Sequence, residues 1–283
     1  MSKSKKLTWL LILQAWTMLW VIIGHAPLDK PSSEGVDMIM HTIAHALFSF
    51  AYSFHMPLFI MISGYLFYRT RIVKGWKYPD MIKEKWLRLG IPYLFFISIG
   101  IIVKLCFSSG VNRSLDTSPM GFVMNYIDPF NGALQEMWFV AVIFLYFILY
   151  PIYSFLLKNV LTTIITIGIG FLLFFIPLNS IPSVFAINRA IHFFIFFFIG
   201  LCISRWSLEN KIDHWSTIGI CIGGYILSYY LKVSIIPAIF ASIGFWGIAM
   251  KIDRTLTSNL IYSIHFETIH IRYFSSEYSH RYL

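Results

Sequence analysis

The feature that most constrains this chain is a succession of eight apolar runs separated by polar segments, at 7–26, 42–68, 89–107, 137–157, 160–178, 189–206, 215–231 and 233–250. A helix crossing a hydrocarbon layer needs about 20 mostly apolar residues. In lipid every backbone N–H and C=O must be satisfied within the segment, so such runs become helices. The expected fold is therefore all-α, a polytopic transmembrane helix bundle of about eight spans over residues 1–250, followed by a tail at 251–283. Charged residues are only 12% of the chain, against about a quarter in soluble domains. That shortage excludes a soluble enzyme, a disordered chain and a secreted disulfide scaffold. Cys106, Cys202 and Cys221 lie in or beside apolar runs with no CxxC spacing, which predicts neither a disulfide framework nor a zinc site.

The first run follows Lys3, Lys5 and Lys6 in the order of a signal peptide, but it is too long for one and no A-x-A-like cleavage site follows. It reads as an uncleaved first span. With the amino terminus placed in the cytoplasm, the inner segments hold fifteen Lys and Arg and the outer ones five, Lys30, Lys104, Arg113, Arg189 and Lys232, with Arg272 and Arg281 of the tail uncounted. That asymmetry fixes a topology under the positive-inside rule. It also accounts for the net charge of +9 without nucleic acid; the expected partner surface is the lipid bilayer.

Polar residues within spans are costly and are functional candidates by default. Gln14 and His25 are eleven residues apart, which brings them to nearly the same helix face about 16 Å apart along the axis. Gln14, Met18, Val21 and His25 thus form one stripe, with His25 at the outer end; the alternative reading of His25 is a simple helix-end marker. The second run carries His45, His55 and Pro57, with His41 just before it. Pro57 lacks a donor and crowds the carbonyl near Ser53. A freed carbonyl at membrane depth suits a cavity wall, so His55 is expected to line one. No acidic residue accompanies the His41 and His45 pair, so no metal site is expected. Ser63 precedes Gly64, whose plain role is close helix packing.

The inner connection at 69–88 interleaves Met81, Ile82, Trp86 and Leu87 with Lys83, Glu84, Lys85 and Arg88, the pattern of a short helix lying in the headgroup plane. Attraction to anionic headgroups explains Lys74, Lys77 and Lys83. Arg69, Arg71, Lys85 and Arg88 instead bracket the inner mouth of the second and third spans, where a phosphorylated donor would arrive, and arginine suits multidentate phosphate contacts.

These residues carry a resemblance. Phe54-His55-Met56-Pro57-Leu58-Phe59 followed by Ser63-Gly64-Tyr65-Leu66 resembles the FHMPLF…SGYL signature of the acyltransferase-3 family of bacterial membrane acyltransferases. Gly24-His25 resembles the close of its Arg-x10-His motif, Lys85-Trp86-Leu87-Arg88-Leu89-Gly90-Ile91-Pro92-Tyr93 its basic-to-IPY entry, and Met137-Trp138-Phe139-Val140 its WFL motif. The pattern is most similar to the branch of fucose 4-O-acetylases and polysaccharide-modification proteins. The resemblance implies a multi-pass protein of the bacterial cytoplasmic membrane that moves an acyl group, usually acetyl, from cytosolic acyl-CoA to a sugar hydroxyl of a surface polysaccharide or lipid-linked precursor. It implies His25 as the catalytic histidine and Arg69, Arg71 and Arg88 as phosphate contacts, with Gln14, His55, Ser63 and Lys85 in the substrate path. Acyl-CoA would be a donor substrate, with no bound cofactor.

Two departures stand out. Gln14 occupies the position where the family usually has a basic residue, and the family normally has more spans than the eight counted here. The tail reads either as an amphipathic cytoplasmic helix or as the product of an interrupted frame, which would make the chain a truncated, inactive member. A glycan exporter or flippase is the alternative function, since it too needs a polar cavity, broken helices and basic gates.

Overall fold

The computed structural model describes residues 8–25, 38–107, 115–233 and 235–256, with 38–41 described by backbone alone. The amino-terminal lysines, the segments holding Lys30 and Arg113, the side chain of His41 and the tail beyond Leu256 lie outside the described residues. Among those described, every ordered element is helical. Five helices are long and apolar enough to cross a membrane, and a bent pair makes a sixth.

All eight apolar runs contain helix, and among the described residues five or six of the helices have full crossing length. Two helices fall short. α8 (Val160–Phe174) has 15 residues and α11 (Trp215–Tyr230) has 16. At about 1.5 Å per residue these rise some 23 Å, below the ~30 Å hydrocarbon thickness. Local chemistry sets the start of α8: Asn159 accepts from the Thr162 backbone N–H at 2.8 Å while Thr162 accepts from the Asn159 N–H at 3.3 Å, a reciprocal cap.

Bends also follow from sequence. α6 (Trp138–Ile148) and α7 (Tyr150–Leu156) belong to one apolar run bent by 63°. Pro151 has no N–H to continue the ladder, and Ile152 donates instead to Leu149 at 3.0 Å. The Ile148 carbonyl, released by that change, accepts from the Tyr78 hydroxyl at 3.1 Å.

The connection at 69–88 corrects one expectation. No separate in-plane helix forms: α3 (Tyr78–Lys85), a π turn (Trp86–Gly90) and α4 (Ile91–Cys106) make one continuous 29-residue helix. The reason is the π turn. Ile91 donates five residues back to Trp86, so the missing donor of Pro92 is absorbed without a break. α2 (Met38–Phe67) ends in a second π turn, Tyr68–Ile72, where Val73 donates to Tyr68 at 3.0 Å. π turns of this kind re-aim side chains locally, and these two carry Arg69, Arg71 and Arg88.

The chain forms two compact units, one of Met1–His55 with Glu209–Leu283 and one of Met56–Leu208. The first unit contains α1 (Thr8–His25), the first part of α2, α10 (Glu209–Ile212), α11 and α12 (Ile236–Leu256). Its core is aromatic: Trp9 meets Trp246 at 5.5 Å, and Phe54 stacks on Phe245 at 4.5 Å. Buried Asp213 pairs with Lys251 at 3.4 Å and with Arg254, so the last turns of α12 are tied to the turn before α11.

The second unit packs the rest of α2 against α6, α7 and α9 (Ile187–Arg205) around Phe67, Phe147, Tyr153 and Phe197. Its buried tyrosines are satisfied, with Tyr146 donating to the Ala190 carbonyl at 2.7 Å and Tyr153 to the Tyr146 carbonyl at 2.8 Å. Such bonds between membrane helices contribute about 0.6 kcal/mol each on average. Close backbone contact supplies the rest. Gly64 faces the Phe197 carbonyl and Gly200 faces the Met61 carbonyl, with no room at either site for a Cβ.

Candidate functional site

In the first unit, α1 ends at Gly24 and His25. A Cβ on Gly24 would lie 3.2 Å from the Tyr52 ring and 3.6 Å from the Ala51 methyl, so glycine here permits the close approach of α1 to α2. The His25 ring follows, exposed, its centroid 6.0 Å from Tyr52 and 6.3 Å from His55. His55 is 1% exposed and its Nδ1 lies 2.6 Å from the Ala51 carbonyl. A carbonyl only accepts, so Nδ1 carries the proton and the neutral ring keeps its lone pair on Nε2. His55 is thus a ring fixed by its own helix, beside a second, exposed imidazole.

Gly24→Val is expected to separate α1 from α2 at this point. A displacement of about 1 Å at a catalytic group costs roughly 10²-fold in rate. Acyl transfer in membranes, compared at equal protein level, measures it; an unchanged rate would remove the close approach from the site.

Gln14 is half-buried beside the buried face of α1, which is made by Trp9, Leu10, Leu13, Thr17 and Gly24. Met18, expected on the polar stripe, is 51% exposed. The half-buried Ser63 spends its proton on the Phe59 carbonyl at 2.9 Å, leaving only acceptor capacity. His45 is exposed.

In the second unit the two π turns bring three of the predicted cations to one carboxylate. Glu84 meets Arg71 at 2.9 Å, Arg88 at 2.8 Å and Lys85 at 3.6 Å. Three positive charges around one negative leave a net charge of +2 on these four side chains, and that excess suits an anion. The cations differ in what they can still do. Arg71, with 11% side-chain exposure, lies over the Trp76 ring at 4.2 Å and also donates to the Thr70 carbonyl. Lys85 lies over the Phe147 ring at 4.5 Å. Both are held by protein groups. Arg88 is 72% exposed, and it bonds Glu84 through Nε, so the outer nitrogens of its guanidinium face outward. Arg69 is exposed as well and donates to the Tyr65 hydroxyl at 2.7 Å.

The sequence reading missed Glu84 as the centre of this cluster. Its signal was present: Glu84 and Arg88 are four residues apart, the favourable helical order for an ion pair. What spacing alone withheld was Arg71, thirteen residues earlier.

A second polar group was also missed. In the segment between α4 and α6, Asp128 is 7% exposed and accepts from Ser183 at 2.5 Å and Asn131 at 2.9 Å. Asp116, outside the spans, accepts from the Ser118 backbone N–H at 2.9 Å, and hydrogen bonding from Ser118 holds its carboxyl below the usual range. Arg189 stacks over the Phe130 ring with its guanidinium carbon 3.4 Å from the centroid.

Long apolar helices define a polytopic helical membrane protein, which carries a histidine pair in its first unit and a basic cluster in its second. The model of the acyltransferase domain matches residues 7–267. The chain belongs to the acyltransferase-3 family, and acyl transfer is its class of reaction. No curated protein and no solved structure matches the chain.

Proposed function

We propose that this protein transfers an acyl group, acetyl in the first instance, from cytosolic acyl-CoA to a sugar hydroxyl of a cell-surface polysaccharide or its lipid-linked precursor. It would do so from the bacterial cytoplasmic membrane, with its amino terminus inside. The observation that carries this reading is the Glu84 cluster. Its surplus of positive charge, with Arg88 and the neighbouring Arg69 both exposed, suits the phosphates of a coenzyme A thioester. Arg71 and Lys85 are the positioning residues that hold Glu84 in place.

In the reaction the sugar hydroxyl oxygen attacks the thioester carbonyl carbon while His25 takes its proton. The carbon–sulfur bond then breaks, and the departing sulfur recovers that proton as a thiol. His55, whose free Nε2 lone pair is fixed by the Ala51 bond, can accept a hydrogen bond from protonated His25 or from a bridging water. Gln14 and Ser63 supply neutral hydrogen-bonding groups to the substrate path.

Donor binding tests this assignment. Each charge-assisted hydrogen bond contributes about 1.5–3 kcal/mol, so Arg88→Ala and Arg69→Ala should each raise the acetyl-CoA Kd about tenfold or more. Unchanged donor binding in both would reduce the cluster to a topology signal. Movement of glycan across the membrane without acyl-CoA would replace the transferase reading with an exporter.

A further inference from the structure

Beyond the histidine pair and the basic cluster, the end of α4 and the segment between α4 and α6 in the second unit line a polar cavity of about 220 Å³ whose wall includes Lys104, Asp116, Asn125, Asp128 and Asn131. Its floor is closed to larger side chains. A Cβ on Gly132 would lie 2.9 Å from the Asn125 carbonyl, and one on Gly121 would run into Asp116. Asn125 is buried and spends its amide on the Gly121 carbonyl at 2.7 Å, which fixes its orientation.

Asp128 is the unusual member. More than nine-tenths of the residue is buried, its Oδ2 is engaged by Ser183 and Asn131, and its Oδ1 is buried with no hydrogen-bond partner. An unsatisfied buried acceptor is a standing cost, and a ligand hydroxyl donating to it would remove that cost. The wall carries two carboxylates and one ammonium. The resulting negative balance disfavours phosphates and carboxylates. The wall offers acceptors from Asp116 and Asp128 and donors from Lys104 and from the second amide protons of Asn125 and Asn131, and hydroxyls can both donate and accept. The ligand class indicated is a neutral polyhydroxyl ring.

We infer that this cavity holds the sugar ring of the acceptor, an inference that rests on the proposed transfer to a sugar hydroxyl. Asp128 and Lys104 are then specificity-determining contacts at a place in the chain remote from the family signature.

The test uses the full chain in detergent or nanodiscs, with methyl β-D-galactopyranoside and methyl β-D-glucopyranoside as probes and labelled acetyl-CoA as donor. Asp128→Asn keeps the shape of the side chain and should raise the sugar KM about tenfold, leaving the acetyl-CoA KM unchanged. Lys104→Gln, which takes no part in the link from Asp128 to Ser183, should raise the sugar KM severalfold and serves where Asp128→Asn impairs folding. An unchanged sugar KM in both variants, with transfer intact, overturns the cavity assignment and leaves the transferase standing. Sugar binding by saturation-transfer NMR that Asp128→Asn abolishes, in a protein that acetylates neither glycoside, supports the cavity and overturns the transfer to sugar instead.

Discussion

Replacing His25 with alanine should lower acyl transfer by about 10²- to 10⁴-fold, the range supplied by one positioned acid–base group, and leave the amount of folded protein unchanged. The second half of that expectation is structural. His25 is exposed at the last residue of α1, and its ring contacts are the edge-on and tilted approaches to His55 and Tyr52 at 6.3 and 6.0 Å. Little packing is lost with it. His55→Ala would be a poorer probe, because that ring is 1% exposed and its removal leaves a cavity as well as a chemical deficit. Incorporation of labelled acetyl into membrane glycan, normalised to protein, gives the rate; transfer at the parental rate in His25→Ala would exclude His25 from the chemistry.

The second large effect concerns stability. Gly64→Ala and Gly200→Ala each place a methyl group into a backbone carbonyl of the facing helix, that of Phe197 or of Met61. A side chain can change rotamer to yield space, but a helix backbone cannot. Each substitution therefore has to push α2 and α9 apart, at about 1–3 kcal/mol or more for overpacking of this kind. Thermal unfolding followed by size-exclusion chromatography should show a lower midpoint for each single variant. The double variant should lose less than the sum, because one separation of the helices accommodates both methyl groups. Midpoints equal to the parent in both single variants would show that the helices do not cross at these glycines.

Much of this was legible in the sequence because it is local. Apolar runs, their lengths and the charges between them are properties of short windows, and they gave the helical membrane bundle and the grouping of Arg71, Lys85 and Arg88 at one mouth. The FHMPLF and SGYL residues carried the family, now matched over 7–267. Gly24 before His25 was visible as a motif, but its purpose was not. Only the Tyr52 ring across the helix contact explains why a side chain is excluded there.

The misreadings have a common origin. The in-plane helix expected between the second and third spans was inferred from charge alternation, and a single π turn at Trp86–Gly90 cancels it by carrying the helix past Pro92. The apolar run at 160–178 is helical only over Val160–Phe174, a helix whose start is set by the capping pair at Asn159 and Thr162. Glu84 was read as one charge among several until Arg71 reached it from a different turn.

The sequence by itself determined that this chain is helical, lies in a membrane and carries the residues of the acyltransferase-3 signature. Hydrophobicity and motif are written residue by residue, so they survive without coordinates. Only the tertiary structure decided which cations are held on Glu84, which histidine ring is bonded to its own helix, and that Asp128 has a buried oxygen with no hydrogen-bond partner. Those properties belong to contacts between residues distant in the chain, and such contacts exist only once the helices have packed.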